Sequence, residues 1–345
     1  HNSKIGMDVS KLYGEPGDVV TQSDAEKYKS TCPYVIIGLT FDSKIFKIQN
    51  KFHERKMIKG KDYTVEDKAM MYQLISEFAQ DPVMIHNLSF GLTLKRCRLL
   101  KNCAEDVIKE LQTKYPKNKN FKQLSNIHIY VADTESNTSR DIREKLREMY
   151  KNKKKYKRTI VFTSRLLYRA WSQTKLDSVM FCDNYKSTSF IVQSIGRGLR
   201  YNKENPNKIC KILMPVDLAK AGPWDHFLTL LNRLRDHDFR PIESIVALVK
   251  NKRSMAKRKS GQGGQVILNT NGVNIPIEQL KKGLHKSMID QFGFWFKWNG
   301  WMYLARDYFA KLNTYSVYFT GNKNMNIFYQ KIYNEIIINK NHKAL

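Results

Sequence analysis

The sequence predicts an α/β fold: a parallel sheet with helices on both faces, followed by a small, mainly helical C-terminal domain. Three observations point there. Strand-length apolar runs alternate with helix-periodic segments from residue 83 to residue 216, the pattern of parallel strands joined by helical crossovers. Runs such as Val179-Met180-Phe181-Cys182 are apolar without alternation, as suits strands covered on both faces. Residues 260–345 change composition and crowd aromatic residues between Phe292 and Phe309.

In chain order, residues 1–30 are polar, with turn residues at Gly14-Glu15-Pro16-Gly17-Asp18. Thr31 to Leu39 reads as a strand. Residues 66–80 read as a helix whose stripe is Met70, Met71, Leu74, Ile75 and Phe78. Val83 to Leu88 reads as a short strand, and a helix follows from Phe90 to Leu111. His86 is read as a core or loop residue, not a ligand. Ile127 to Ala132 is the next strand. Ser136 to Ser139 offer caps for a helix striped by Ile142, Leu146, Met149 and Tyr150. Lys151 to Arg158 is a basic connector, with contact to a phosphate backbone as its other reading. Thr159 to Ser164, Leu176 to Cys182 and Lys208 to Val216 complete the strands. Residues 223–250 hold two helices, striped by Phe227, Leu230, Leu231 and Leu234, and by Ile242, Ile245, Val246 and Val249. Lys250 to Gln265 is basic and then glycine-rich, a flexible boundary. The aromatic residues beyond it are read as the core of a helical module, with base stacking as the alternative.

One segment organises the rest. Gln193, Arg197 and Arg200 fall at i, i+4 and i+7, so on a helix they share a face. Ile191, Ile195 and Leu199 lie opposite. One side is suited to burial against a sheet. The other presents two guanidinium groups and an amide, and guanidinium forks onto phosphate oxygens.

Lys+Arg of 60 against Asp+Glu of 32 leaves a net charge of +28, which favours polyanionic partners, nucleic acid first. No apolar run approaches the roughly 18 residues of a membrane span, so no membrane partner is expected. Cys32, Cys97, Cys103, Cys182 and Cys210 form no Cys-x-x-Cys pair, which points to a reducing intracellular compartment: cytoplasm, nucleus, or a viral factory or virion. No Gly-x-x-x-x-Gly-Lys-Ser/Thr loop and no Asp-Glu magnesium box occur. Glu204 and the Asp236/Asp238 pair read as surface or cap residues. Residue 1 is histidine, so the chain reads as a fragment or a processed product.

The order Gln193-x-x-Gly196-Arg197-x-x-Arg200 resembles motif VI of the superfamily 2 helicases and translocases. Val83 to Leu88 resembles motif IV. Ser139-Arg140 resembles the element ahead of motif V that touches the nucleic-acid backbone, and Thr159 to Phe190 resembles motif V with its following strand. Tyr13-Gly14, Ala25 and Pro33-Tyr34-Val35 are similar to the segment that links the two motor domains. The flavour is that of restriction-enzyme motors or viral helicases. Ala170-Trp171-Ser172 departs from the family, which places glycine, an aliphatic residue and aspartate there; Ser172 brings no carboxylate.

The resemblance implies a RecA-like C-terminal motor domain over 81–217, preceded by a linker and helix over 1–80; the residues themselves give a helical extension over 218–259 and an aromatic-rich helical domain over 260–345. Arg197 and Arg200 would stabilise charge on the γ-phosphate, Gln193 would position nucleotide or water, and Gly196 would lie at the nucleotide. Arg140, Thr163, Ser164 and Lys153, Lys154 and Lys155 would hold a nucleic-acid strand, DNA in preference to RNA. ATP and Mg²⁺ would be held mainly by a first motor domain upstream, with a larger assembly as a further partner and no metal site in this chain. The alternatives are a non-catalytic nucleic-acid-binding module that keeps the motor fold, and a structural protein packed with nucleic acid in a virion.

Overall fold

The computed structural model describes residues 22–50, 62–152, 154–164, 167, 173–234, 238, 240–241, 244–245, 263–269 and 277–292. Among them, seven strands form one sheet, and every pairing in it is parallel. The strands are β1 (Tyr34–Phe41), β2 (His86–Phe90), β3 (Ile127–Val131), β4 (Arg158–Thr163), β5 (Ser178–Phe181), β6 (Cys210–Asp217) and β7 (Gln265–Asn269), in the spatial order β3-β4-β2-β5-β6-β1-β7. The helices are α1 (Gln22–Lys27), α2 (Ser43–Gln49), α3 (Val65–Gln80), α4 (Leu94–Lys114), α5 (Lys119–Lys122), α6 (Ser139–Lys151), α7 (Thr188–Gly198), α8 (Asp225–Leu234) and α9 (Ile277–Phe292).

Every residue of β1, β2, β4 and β5 is buried, which requires cover on both faces of the sheet. This is the predicted α/β architecture. Helix boundaries follow local chemistry. A capping box starts α3 at Thr64 with Asp67, and another starts α6 at Thr138 with Asp141. The predicted stripe of α3 is buried throughout, as are Ile142, Leu146, Met149 and Tyr150 on α6.

Several boundaries differ from the sequence reading. The first strand, read from Thr31 to Leu39, runs from Tyr34 to Phe41 and pairs with β6 on one side and β7 on the other. Gln265, read as the end of a flexible boundary, opens β7, and Gly264 turns into it with a φ of 76°, a left-handed conformation that suits glycine. The divisions expected at residues 80 and 259 therefore do not coincide with the edges of the sheet. The second strand is His86–Phe90, not Val83 to Leu88. Val83 and Ile85 are exposed, while the polar His86, Asn87 and Ser89 are buried. Those three pair within the sheet: Asn87 Nδ2 donates to Ser178 Oγ at 2.9 Å, Ser89 Oγ donates to Asn87 Oδ1 at 2.6 Å, and His86 Nδ1 lies 2.9 Å from Thr159 Oγ1. The following helix starts at Leu94, because Thr93 caps it. The aromatic residues from Phe294 onward, Tyr13-Gly14, and Ile242, Val246 and Val249 lie outside the described residues; Ile245 is buried.

A buried ionic seam fastens the amino ends of the central strands. Arg158 donates to the carbonyls of Phe78, Asp81 (3.0 Å) and Met84 (2.7 Å). Lys211 pairs with Asp81. Asp177 Oδ2 accepts from the backbone N–H of His86 at 3.0 Å and of Ile85 at 3.2 Å. Burial raises the Asp177 carboxyl to about 6 despite those bonds and the nearby Lys208 and Arg158. A raised native pKa means that the folded state holds the proton longer than the unfolded chain. The associated stability is present below about pH 4 and is lost as pH rises through 6, on the order of 3 kcal/mol in all. Asp177→Asn is expected to remove this component, so the difference in unfolding free energy between variant and parent should shift in favour of the variant between pH 4 and pH 7. Denaturant melts across that range measure it, and a constant difference would contradict the assignment.

Candidate nucleotide-facing and nucleic-acid-facing sites

The segment from Gln193 to Arg197 lies on α7, as the sequence spacing implied. Ser187 is its N-cap, and its hydroxyl accepts from Phe190 N–H at 3.3 Å. Phe190 stacks on Tyr185 with centroids 4.4 Å apart and meets Phe90 and Phe181 edge-on. That cluster anchors the start of α7 to β2 and β5. Ile191, Ile195 and Leu199 are buried, Gln193 is exposed, and Gly196 and Arg197 are half-buried. The two-faced reading thus describes α7 as it stands.

Arg200 differs in one respect. The helix closes at Gly198 with Leu199 as C-cap, so Arg200 lies just beyond it and bridges to Thr31. Cys32 N–H donates to Leu199 O at 2.8 Å, and Lys208 Nζ donates to Arg200 O at 2.8 Å. These bonds occupy carbonyls at the end of α7 and fix the Arg200 backbone while its side chain stays exposed. The two guanidiniums are close enough to feel one another. Burial, and then the charge of Arg200, hold Arg197 below the usual arginine range. A cavity of about 300 Å³ opens beside Arg200, lined among others by Ile195, Gly196, Leu199, Tyr34 and Asp238, while Gln193 and Arg197 do not line it. Asp238 takes the cap role that the sequence reading allowed it: its Oδ1 accepts from the backbone N–H of Arg240 at 3.0 Å. It is half-buried, accepts from Tyr34 Oη at 2.7 Å and pairs with Arg240, which also holds Glu26. Acids near the cavity are therefore already engaged. Glu204 is exposed and pairs with Lys175 at 3.1 Å.

The two glycines of the segment do different work. A β-carbon on Gly196 would meet nothing within 4 Å, whereas one on Gly198 would run into Cys210 Sγ and lie 3.1 Å from Val179 Cγ2. Gly198 lets α7 approach β5 and β6. Gly198→Ala is expected to destabilise by about 1–3 kcal/mol through overpacking, and Gly196→Ala to stabilise by up to about 1 kcal/mol through helix propensity. Thermal melts of the two variants read the contrast directly; equal effects would refute it.

The proposed strand-binding residues do not come together. In a parallel sheet each crossover helix begins at the carboxyl edge and returns to the amino edge. Arg140, in the first turn of α6, and Ser164, just past β4, lie at the carboxyl edge. Arg140 is exposed and pairs with Glu144 at 3.0 Å; Ser164 is half-buried. Lys154 and Lys155 precede β4 and so lie at the amino edge, a helix length of about 20 Å from Arg140. Both are exposed; Lys153 lies outside the described residues. Thr163 is a correction. It is fully buried as the last residue of β4, and its Oγ1 has no hydrogen-bond partner among the described residues. A hydroxyl so enclosed does not reach a strand outside. Ala170-Trp171-Ser172 also lies outside the described residues.

Sequence reasoning missed a brace at the carboxyl edge. Arg96 joins Asp67 (2.5 Å) to Asp183 (3.2 Å), and Asp183 also accepts from Leu92 N–H at 2.9 Å. Its members come from three distant segments, so no local spacing signals it. Among the described residues no group of three or more His, Cys, Asp or Glu is placed to hold a metal, no helix is long and apolar enough to cross a membrane, and the five cysteines are free and buried.

Fold and topology define an α/β protein of the RecA-like class. The chain is similar in structure to the ATP-dependent Type ISP restriction-modification enzyme LlaBIII bound to DNA, with a TM-score of 0.59 and 16% identity over 81% of this chain. It spans 18% of the length of that enzyme. A fragment of a putative HsdR subunit of a type I restriction enzyme from Vibrio vulnificus YJ016 aligns at a TM-score of 0.39 and 13% identity, covering 62% of this chain and 37% of that one. No protein-family model matches the chain, and no curated protein matches it. At these identities the likeness to LlaBIII is one of fold.

Proposed function

We propose that the chain is the C-terminal motor domain of a superfamily 2 ATP-dependent nucleic-acid translocase or helicase, of the restriction-enzyme kind. The observation that carries this reading is α7: a helix with Ile191, Ile195 and Leu199 buried, Gln193 exposed, Arg197 half-buried and, just past its end, an exposed Arg200 that lines a cavity together with Gly196. Arg197 and Arg200 grip the γ-phosphate as charge develops on it. Gln193 positions nucleotide or the attacking water, and Gly196 leaves room for approach. ATP and Mg²⁺ are held mainly by a first motor domain, since this sequence has no phosphate-binding loop. Ser164 and Arg140 contact the phosphates of a DNA strand at the carboxyl edge. Closure of the two domains on ATP and reopening after hydrolysis shift that grip along the strand.

The chain joined to a first motor domain is expected to hydrolyse ATP with stimulation by nucleic acid, and the chain alone is expected not to. Absence of stimulation in the joined protein would favour the second reading, a nucleic-acid-binding module that keeps the motor fold. The missing phosphate-binding loop and the lack of a carboxylate at Ser172 favour that reading for the chain in isolation.

A further inference from the structure

The amino edge of β3 and β4 carries a concentration of positive charge, of which the motor resemblance invokes only Lys153, Lys154 and Lys155. Four exposed lysines precede β3: Lys114, Lys117, Lys119 and Lys122. Four more precede β4: Lys151, Lys154, Lys155 and Lys157. The sequence contains no acidic residue from 111 to 132, nor from 149 to 176. The fold brings the two runs side by side. Ile127 and Arg158 are register partners at the first rung of the β3–β4 ladder, and neighbouring strands are only about 4.8 Å apart. His128 on β3 meets the Tyr156 ring at 4.9 Å between centroids.

Local neutralisation is slight. Glu148 lies 3.8 Å from Lys155 and also pairs with Lys145. Among the described residues the other seven lysines make no ion pair. Tyrosine rings hold some of the ammonium groups: Lys114 lies over Tyr115 at 5.5 Å, and Lys155 over Tyr156 at 5.1 Å. The field reaches His128, whose pKa is lowered by burial and then by Lys145, Lys101 and Lys155.

We propose that the paired lysine runs at the amino ends of β3 and β4 form a second nucleic-acid surface, which takes the phosphate backbone of a duplex without reading sequence. Like charges gathered without counter-charge repel one another, and a polyanion relieves that cost while releasing its own counterions. Lysine supplies mobile point charges and no planar fork for base edges. Among the described residues, Tyr115 and Tyr156 sit under ammonium groups, which favours backbone contact over base stacking. It lies at the opposite edge of the sheet from Arg140 and Ser164, so it can hold a duplex that the motor track does not hold. The proposal does not depend on the motor reading.

The test uses the full chain and a patch variant, Lys117→Gln, Lys119→Gln, Lys154→Gln and Lys155→Gln. A control variant removes equal charge elsewhere: Lys27→Gln, Lys203→Gln, Lys282→Gln and Lys286→Gln. Binding of a short labelled DNA duplex, a matched RNA duplex and phosphatidylserine vesicles is titrated against KCl. The patch variant is expected to bind duplex at least about tenfold more weakly near 0.1 M salt, with the slope of log K against log[salt] reduced by about 3–4, at roughly 0.9 per lost phosphate contact. The control should stay close to the parent. Loss on one duplex alone supports the surface and identifies its nucleic acid. Unchanged affinity and slope, equal loss in the control, or loss on vesicles alone would each overturn the proposal.

Discussion

Arg197→Ala in the chain joined to a first motor domain is expected to lower nucleic-acid-stimulated ATP hydrolysis by about 10³-fold or more, the range found for arginine fingers. The fold should be little affected. Arg197 is half-buried on α7, whose close approach to β5 and β6 is made at Gly198 and whose buried residues are Ile191, Ile195 and Leu199. Burial and the neighbouring Arg200 both disfavour its charge, so a phosphate placed there would relieve a repulsion already present. Removing one guanidinium removes both that attraction and the oriented donors. Arg197→Lys should recover little, because a point charge does not reproduce the fork. Turnover at saturating nucleic acid measures the effect, and melting temperature serves as the folding control. A variant that keeps the parental turnover would remove Arg197 from the site.

The second large effect concerns stability. Arg158→Leu is expected to cost on the order of 3 kcal/mol. The guanidinium holds three carbonyls, of Phe78, Asp81 and Met84, and lies 4.3 Å over the Phe78 ring. Its burial is itself unfavourable and lowers its pKa to about 10, so deletion recovers roughly 3 kcal/mol of desolvation. Three buried acceptors left without that donor, at about 1–3 kcal/mol each, outweigh the recovery. Arg158→Lys should lose less, since an ammonium still supplies donors there. Denaturant unfolding decides: a Leu variant as stable as the parent would mean that the carbonyls find other partners readily.

What the sequence revealed depended on the range of the interaction. The two faces of α7, the stripe of α3 and the hydroxyl cap of α6 were legible because local spacing places their residues together. Arg200 was assigned to the helix because periodicity carries no end signal there. The stop comes from Cys32 and Lys208, which bind the last carbonyls from elsewhere. The second strand was misplaced by three residues because an apolar run, Val83 to Ile85, precedes a strand that mixes buried apolar residues with buried His86, Asn87 and Ser89, whose partners include Thr159 and Ser178 on neighbouring strands. The position of β1 depends on β6 and β7, far along the chain. The split of the basic residues between two sheet edges follows from strand direction, which spacing along the sequence does not report.

The seat of β1 between β6 and β7 also bears on how the chain is made. Tyr34 pairs with Cys210, some 176 residues later, so a ribosome adding about 5–20 residues each second emits β1 roughly 10–35 s before its partner. Throughout that interval an eight-residue strand that is wholly interior in the finished protein has neither neighbour available. The nascent chain therefore passes through a window in which chaperone capture and misassociation compete with productive folding, and this window closes only when the final third of the sheet has been synthesised.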